Sequence, residues 1–268
     1  MYTNKMTSNY YYGAGNTIKV HNDMFPSTFR MLIVGQSGCG KTTLLMKLLL
    51  DKNMLNYDKL YVFAPSLYQK EYEVLQAGFN NELSKENILY LLNSGDLIDK
   101  TWKGEKPTIE TVAVGLSMTQ KHPSQITAEF HKNEDYIPKP EELKMDIRNL
   151  IVFDDIMMNR KQNTAESYYT RGRSANCDAI YLSQNYTKLP LHSIRTNANF
   201  QIFFKSSNNV VRQLYSDFAS VDMPLFKEFQ EFCKSAWDKR YGFIVIDFSR
   251  DYNSGNKYRS TLELNTEF

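Results

Sequence analysis

The chain has 268 residues, 42% of them hydrophobic, and carries 32 basic against 30 acidic side chains, for a net charge of +2. A chain of this length can bury a full core as one α/β domain. A charge so close to zero excludes nucleic-acid binding through an overall basic field and leaves only a local patch. The three cysteines, Cys39, Cys177 and Cys233, are odd in number and far apart. They favour a reducing compartment over a disulfide framework or a metal site.

No stretch reaches the roughly 18 to 20 consecutive apolar residues that a membrane-spanning helix needs. The polar, tyrosine-rich start at residues 1–12 also lacks the apolar centre of a signal peptide. We therefore expect a soluble, intracellular protein without a membrane span. Residues 1–28 are predicted to form an N-terminal arm, partly mobile, and residues 251–268 a C-terminal tail.

The first predicted elements follow one another as strand, glycine loop and helix. Residues 29–34 are an apolar run that ends before a glycine, and residues 42–50 have the pattern of an apolar helix. Residues 59–64, stopped by a proline, predict a second buried strand, and residues 69–76 a helix after it. From residue 80 to 140 the pattern loosens and includes four prolines. This segment is predicted to be an insertion or mobile region within a core that spans residues 29–250.

Apolar strand patterns return in the second half of the chain, separated by stretches of helical spacing. Such alternation predicts a mostly parallel sheet with helices on both faces, which is a three-layer α/β sandwich. The strands are predicted at residues 149–153, 179–183, 200–204 and 243–246.

Residues 35–42, with the sequence GQSGCGKT, match the phosphate-loop pattern GxxxxGK[ST] between a predicted strand and a predicted helix. Glycines let the loop curl so that successive N–H groups point at phosphates, and the helix adds its positive end. Lys41 is placed to reach the β- and γ-phosphates, and the Thr42 hydroxyl to bind Mg²⁺. The alternative, a glycine-rich turn that matches by chance, does not require the flanking strand and helix. ATP and Mg²⁺ are thus the expected cofactors, with nucleotide contacts from Gly35, Gln36, Ser37, Gly38, Cys39, Gly40, Lys41, Thr42 and Thr43.

Two carboxylates follow the predicted strand at residues 149–153. Consecutive residues that leave a strand can face a metal and a nucleophile, so we assign Asp154 to the Mg²⁺ shell and Asp155 to polarising water. The alternative is that the pair caps the next helix. Gln184 ends the strand at residues 179–183. Its amide would lie near the γ-phosphate if the two strands are neighbours.

Arg171 and Arg173 precede that glutamine strand, and guanidinium groups suit the stabilisation of charge on a transferring phosphoryl group. Either could act on the ATP of a neighbouring subunit. A solvated or structural salt-bridging role is an equal alternative for each. Arg195 is a weaker candidate for the same role.

The segments GQSGCGKTT, NLIVFDD, YYTRGRSANCDAIYLSQ and LPLHSIRTNANFQIFF, in this order and spacing, resemble the FtsK/HerA branch of P-loop ATPases. Within that branch they are similar to viral DNA-packaging ATPases of the poxvirus and virophage type. The similarity spans residues 31–204. It implies an ASCE/RecA-like P-loop NTPase fold and a homo-oligomeric ring, a hexamer, with ATP at subunit interfaces. It also implies double-stranded DNA and capsid or portal-vertex proteins as partners, in the host cytoplasm, a viral factory or the virion.

The resemblance assigns the nucleotide roles to particular positions of this chain. Asp155 stands where many members of the branch have glutamate, which shortens the reach to water by one methylene. An arginine that acts in trans is implied for the segment around residues 171–173. The implied catalytic residues are Lys41, Asp155, Gln184, Arg171 and Arg173, and the implied metal ligands are Thr42 and Asp154.

Two other functions use the same phosphate loop. A nucleotide or small-molecule kinase would use Arg171 and Arg173 as lid arginines, and a non-catalytic switch module would use bound nucleotide to order an interface. For DNA contacts, the candidates are lysines in the loosely patterned segment, although surface lysines are usually only solvated. These are Lys103, Lys106, Lys121 and Lys132.

Overall fold

The structure of the chain is a computed structural model, and it describes residues 20–101, 107–133, 136–156 and 162–264. These residues contain eight strands and seven α-helices. The strands are β1 (Arg30–Val34), β2 (Lys59–Phe63), β3 (Thr127–His131), β4 (Asn149–Asp154), β5 (Cys177–Ser183), β6 (Phe200–Phe204), β7 (Phe243–Asp247) and β8 (Tyr258–Arg259). The helices are α1 (Lys41–Leu50), α2 (Lys70–Asn80), α3 (Lys85–Thr101), α4 (Ile109–Thr119), α5 (Asn163–Arg171), α6 (Asn208–Leu214) and α7 (Phe226–Trp237).

All eight strands form one sheet in the order β3-β2-β4-β5-β1-β6-β7-β8. The pairs from β3 to β6 are parallel, and β7 and β8 are antiparallel to their neighbours. Every residue of β4, β5 and β6 is buried, as expected for strands that are covered on both faces. The predicted α/β sandwich with a mostly parallel central sheet is confirmed.

The two faces of the sheet belong to separate hydrophobic clusters because successive residues of a strand point in opposite directions. In β1, Met31 and Ile33 pack into one cluster, and Leu32 and Val34 pack into the other. Helices α1 to α4 cover the first face, and α5 to α7 cover the second. The central sheet and its two helical layers therefore make up the core.

The strand order brings several strand ends to one edge of the sheet. β5 lies between β1 and β4, with Val34 opposite Ser183 and Asp154 opposite Leu182. On the other side of β1, Phe204 at the end of β6 pairs with the first residue of antiparallel β7. The carboxyl ends of β1, β4, β5 and β6 thus meet the start of β7 at this edge.

Residues 80–140, predicted as an insertion or mobile region, include helices and a strand that joins the main sheet. Their described part contains α3, α4 and β3, and β3 pairs with β2 as an edge strand of the main sheet. None of the five β3 residues is fully buried. An edge strand needs no continuous apolar run, which explains why the sequence pattern loosens here.

The described ends of the chain also pack against the core. His21 and Phe25, inside the predicted arm, are buried, while residues 1–19 of that arm lie outside the described residues. Within the predicted tail, β8 pairs with β7 and Arg259 is buried beside Asp247. Among the residues described, no helix combines the length and apolar character needed to cross a membrane.

Candidate functional site

The phosphate loop connects β1 to α1 at the edge where the strand ends meet. Gly38 and Gly40 have φ angles of 73° and 104°, in the left-handed region that glycine adopts without steric cost. A Cβ atom on Gly35 would lie 2.5 Å from Cys39 Sγ and 2.7 Å from Phe204 Cβ. The glycines therefore allow a tight loop whose backbone closes against β6.

The Lys41 side chain turns back over this loop. Its Nζ donates hydrogen bonds to the carbonyl oxygens of Gly35, at 2.7 Å, and Gln36, at 3.0 Å. Both acceptors are neutral, so a phosphate oxygen would be a stronger partner for the ammonium group. The loop and the first turn of α1 thus offer one positive charge beside backbone donors.

An open cleft of about 550 Å³ lies above the loop. Six of the nine predicted nucleotide contacts line it, and Gly35, Gln36 and Cys39 do not. Cys39 packs against the core instead, and burial raises the pKa of its thiol, which keeps it protonated. The six that line the cleft are Ser37, Gly38, Gly40, Lys41, Thr42 and Thr43.

Asp154, the last residue of β4, lies in the same cleft and is buried. Tyr72 on α2 donates its hydroxyl hydrogen to Asp154 Oδ2 at 2.5 Å. Burial, the largest cause, raises the pKa of the Asp154 carboxyl. The nearby Asp155 also raises it, against the lowering effects of Tyr72 and Lys41. A cation beside Asp154 would favour its charged form.

Asp155 follows with a φ of 54°, an uncommon conformation for a residue other than glycine. Both of its carboxylate oxygens lie 3.4 Å from Nε2 of Gln184, which follows the neighbouring strand β5. The next described helix, α5, begins at Asn163 with Gln162 as its N-cap, so the two aspartates do not cap it. The chain therefore sets an amide beside the more exposed of the two carboxylates.

The chemistry of this cleft fits Mg²⁺ with a nucleotide phosphate. Thr42 contributes a hydroxyl and Asp154 a carboxylate to the same lining. Mg²⁺ prefers oxygen ligands and is commonly held by one or two protein groups together with substrate phosphates. The donor set therefore suits a phosphate-bound magnesium ion.

The phosphate loop, the order of the strands and the two carboxylates at the end of β4 together identify the class of fold. The chain is a P-loop NTPase by fold. A family model described as "Poxvirus A32 protein" matches residues 19–103. This matched segment includes the phosphate loop and Tyr72 but ends before the Asp154 strand. No curated protein matches the chain.

Several solved structures are similar to this P-loop NTPase. One is the genome packaging NTPase B204 from Sulfolobus turreted icosahedral virus 2 in complex with ATP-gammaS. It has 13% identity and a TM-score of 0.49, over 86% of this chain and 95% of that chain. Another is VirB4 of Thermoanaerobacter pseudethanolicus, with 12% identity and a TM-score of 0.41, over 82% and 87% of the two chains. At such low identity, we carry no residue role over from either structure.

The predicted arginines lie away from the cleft of their own chain. Arg171 ends α5 and Arg173 lies in the short 3₁₀ turn that leads into β5, whereas Gln184 follows the other end of β5, and seven strand residues span roughly 20 Å. Arg171 forms an exposed ion pair with Glu141. Neither arginine side chain lines the phosphate cleft of its own chain, and the lid-arginine and trans-acting roles both stay predictions. Arg195 is buried in an ion pair with Asp217, a structural role.

Sequence reasoning missed several residues that line the cleft. They come from the start of α2, from α1, from the end of β5 and from the β6–β7 side of the sheet. The spacing of Thr43 and Lys47, four residues apart on α1, could have indicated the lysine. Nothing local to α2 or β7 marks the others. The missed residues are Lys47, Gln69, Glu71, Phe204, Tyr241 and Phe243, together with Leu44 on α1 and with Leu182 and Ser183 at the end of β5; Tyr72 lies behind them.

Proposed function

We propose that this chain is an ATP-hydrolysing motor that translocates double-stranded DNA and packages a viral genome into a preformed capsid. The observation that carries the ATPase part is the single cleft shared by Lys41, Thr42, Asp154, Asp155 and Gln184. The similarity of residues 19–103 to the poxvirus A32 family supports the packaging part, together with the four ordered sequence segments.

Each side chain has a defined task in this proposal. Lys41 exchanges its two carbonyl acceptors for the β- and γ-phosphates, and Thr42 and Asp154 hold Mg²⁺. When bound, the ion offsets phosphate charge. Asp155 orients and polarises the attacking water, and the Gln184 amide fixes the direction of that carboxylate.

The arginine positions support the proposal of a homo-oligomeric ring, a hexamer. Neither Arg171 nor Arg173 lines the cleft of its own chain, so in this proposal an arginine of one subunit reaches the ATP of its neighbour. Double-stranded DNA would pass through the ring, which would dock on capsid or portal-vertex proteins in the host cytoplasm, a viral factory or the virion. Lys121 and Lys132 are exposed and remain candidates for DNA contacts. Lys103 and Lys106 lie outside the described residues.

Steady-state ATP turnover, measured with and without duplex DNA, tests the motor. We expect Lys41→Ala to lose nucleotide binding, and Asp155→Asn to keep it while turnover falls by about 10²- to 10⁴-fold. Lys227→Ala is the matched control because that lysine is exposed and lies outside the cleft. Turnover that duplex DNA leaves unchanged in an assembled ring would contradict the translocase. A phosphorylated small-molecule product would favour a kinase, and binding without turnover would favour a switch.

Mixed rings test the arginine in trans. Lys41→Ala subunits lack a working phosphate loop, and subunits with Arg171→Ala and Arg173→Ala lack the guanidiniums. Mixing the two creates interfaces in which an intact loop meets intact arginines. We expect ATPase activity above that of either variant alone. No recovery in rings that contain both subunits would rule out action in trans.

A further inference from the structure

The cleft has two chemically different walls on opposite sides of β1. On the β4–β5 side is the carboxylate wall, which we define as Asp154, Asp155 and Gln184, whose groups are charged or polar. On the β6–β7 side, the lining is aromatic, with Phe204, Tyr241 and Phe243. Phe204 is buried and Phe243 half-buried, but Tyr241 as a whole residue is 55% exposed. Packing of the core therefore does not account for this tyrosine.

A tight turn between α7 and β7 holds Tyr241 in place. Its φ angle is 62°, which is uncommon for a bulky side chain and costs conformational energy. The next residue, Gly242, donates its N–H to the Lys239 carbonyl oxygen at 2.9 Å, and a Cβ there would collide with the Ala236 carbonyl oxygen. The turn thus fixes the tyrosine in a strained conformation at the mouth of the cleft.

The Tyr241 ring rests beside the phosphate loop. A Cβ atom on Gly40 would lie 3.4 Å from Tyr241 Cδ1, which is van der Waals contact. The Arg240 guanidinium lies 4.9 Å from the ring centroid and donates to the phenol oxygen at 3.0 Å. The phosphate loop and Arg240 thus both contact the ring, while Tyr241 as a residue stays more than half exposed to solvent.

The position of the charged groups in the cleft sets the orientation of a bound nucleotide. The terminal phosphate must face the carboxylate wall, because its magnesium ion and the attacking water belong there. The nucleoside then leaves the loop toward the β6–β7 side. A flat aromatic ring on that side suits a purine base, which stacks on it face to face with an offset.

We propose that Tyr241 contacts the base of ATP and sets the affinity for the nucleoside half of the nucleotide. This inference rests on the proposed ATPase function of the same cleft. It separates the two halves of the ligand: the loop binds the triphosphate, and the tyrosine binds the base.

Equilibrium calorimetry of the full chain with Mg-ATP and with Mg-tripolyphosphate tests the separation. Tyr241→Ala is expected to weaken Mg-ATP binding about 10- to 100-fold and leave Mg-tripolyphosphate binding unchanged, while Tyr241→Phe keeps both. Tyr90→Ala is the matched control, because Tyr90 is 60% exposed on α3, outside the cleft. Its binding of both ligands should equal that of the wild type.

Tyr241→Asn tests whether a loss of binding comes from the missing ring or from a disturbed turn. Asparagine tolerates the positive φ of this position and also lacks the ring. This variant should show the same selective loss of Mg-ATP binding, with thermal stability equal to or above that of the wild type. Equal affinities of wild type and both ring-deleting variants for Mg-ATP, or an equal loss for both ligands, would overturn the role of Tyr241. If wild-type protein binds neither ligand, the proposed function itself fails.

Discussion

Tyr72→Phe removes one oxygen atom from the junction between α2 and the carboxylate wall. Tyr72 is fully buried, and its hydroxyl donates to the buried Asp154 carboxylate at 2.5 Å. A hydrogen bond to a charged group contributes roughly 1.5–3 kcal/mol, and its loss leaves a buried acceptor unsatisfied. At about 2–4 °C per kcal/mol for a chain of this size, a loss of about 2 kcal/mol lowers Tm by about 4–8 °C.

The same deletion is expected to disturb magnesium-dependent binding. With Oδ2 held by Tyr72, the Asp154 carboxylate presents its other oxygen in a fixed direction. Removal of a partner that orients a metal ligand typically lowers metal affinity about 10- to 100-fold. Mg²⁺ titrations at fixed ATP concentration should therefore show a higher half-saturating Mg²⁺ concentration for Tyr72→Phe, while ATP binding without Mg²⁺ stays unchanged.

Tyr57→Phe is the matched control for both measurements. Tyr57 is also buried, but its hydroxyl donates to a neutral acceptor, the Leu49 carbonyl oxygen, at 2.8 Å. Its loss should cost about 1 kcal/mol and leave the Mg²⁺ dependence at the wild-type value. If the two variants have equal Tm values and equal Mg²⁺ dependence, the Tyr72 hydroxyl does not position Asp154.

Two further predictions concern stability. Gly35→Ala should lower the free energy of unfolding by about 1–3 kcal/mol and weaken ATP binding, because the added Cβ collides with atoms that pack against the loop. Gly115→Ala has open space around it on α4 and should raise the free energy of unfolding by about 0.5–1 kcal/mol. Equal effects of the two substitutions in thermal unfolding would contradict this. Burial lowers the pKa of His21, whose Nδ1 accepts a hydrogen bond from the Asn56 N–H. Below about pH 6.5, the usual pKa of histidine, the unfolded chain therefore binds a proton at this residue while the folded chain does not. The free energy of unfolding is thus expected to fall as the pH falls below about 6.5. Denaturant titrations from pH 7.5 to 5.5 should show a loss of at most about 1.4 kcal/mol from this group, absent in His21→Gln but retained in the exposed-residue control His122→Gln.

The prediction of the phosphate loop succeeded because its determinants are contiguous in the chain. Gly38 and Gly40 supply left-handed backbone, and Lys41 follows at once at the start of the helix. The apolar runs that became β4 and β5 were equally clear because strands buried on both faces need continuous hydrophobic sequence. The edge strand β3 needs no such run, and it was missed.

By itself, the sequence determined a phosphate loop, a mostly parallel sheet, and carboxylates and a glutamine at strand ends, because each depends on neighbouring residues or on a short repeat. Only the tertiary structure decided which strands are neighbours. Packing of helices on both faces placed β5 between β1 and β4, and that placement set Gln184 beside Asp155. It also brought Tyr72 and Tyr241 to the cleft from distant parts of the chain, and the length of β5 put Arg171 at the far edge. Such positions depend on long-range packing, which no local pattern encodes.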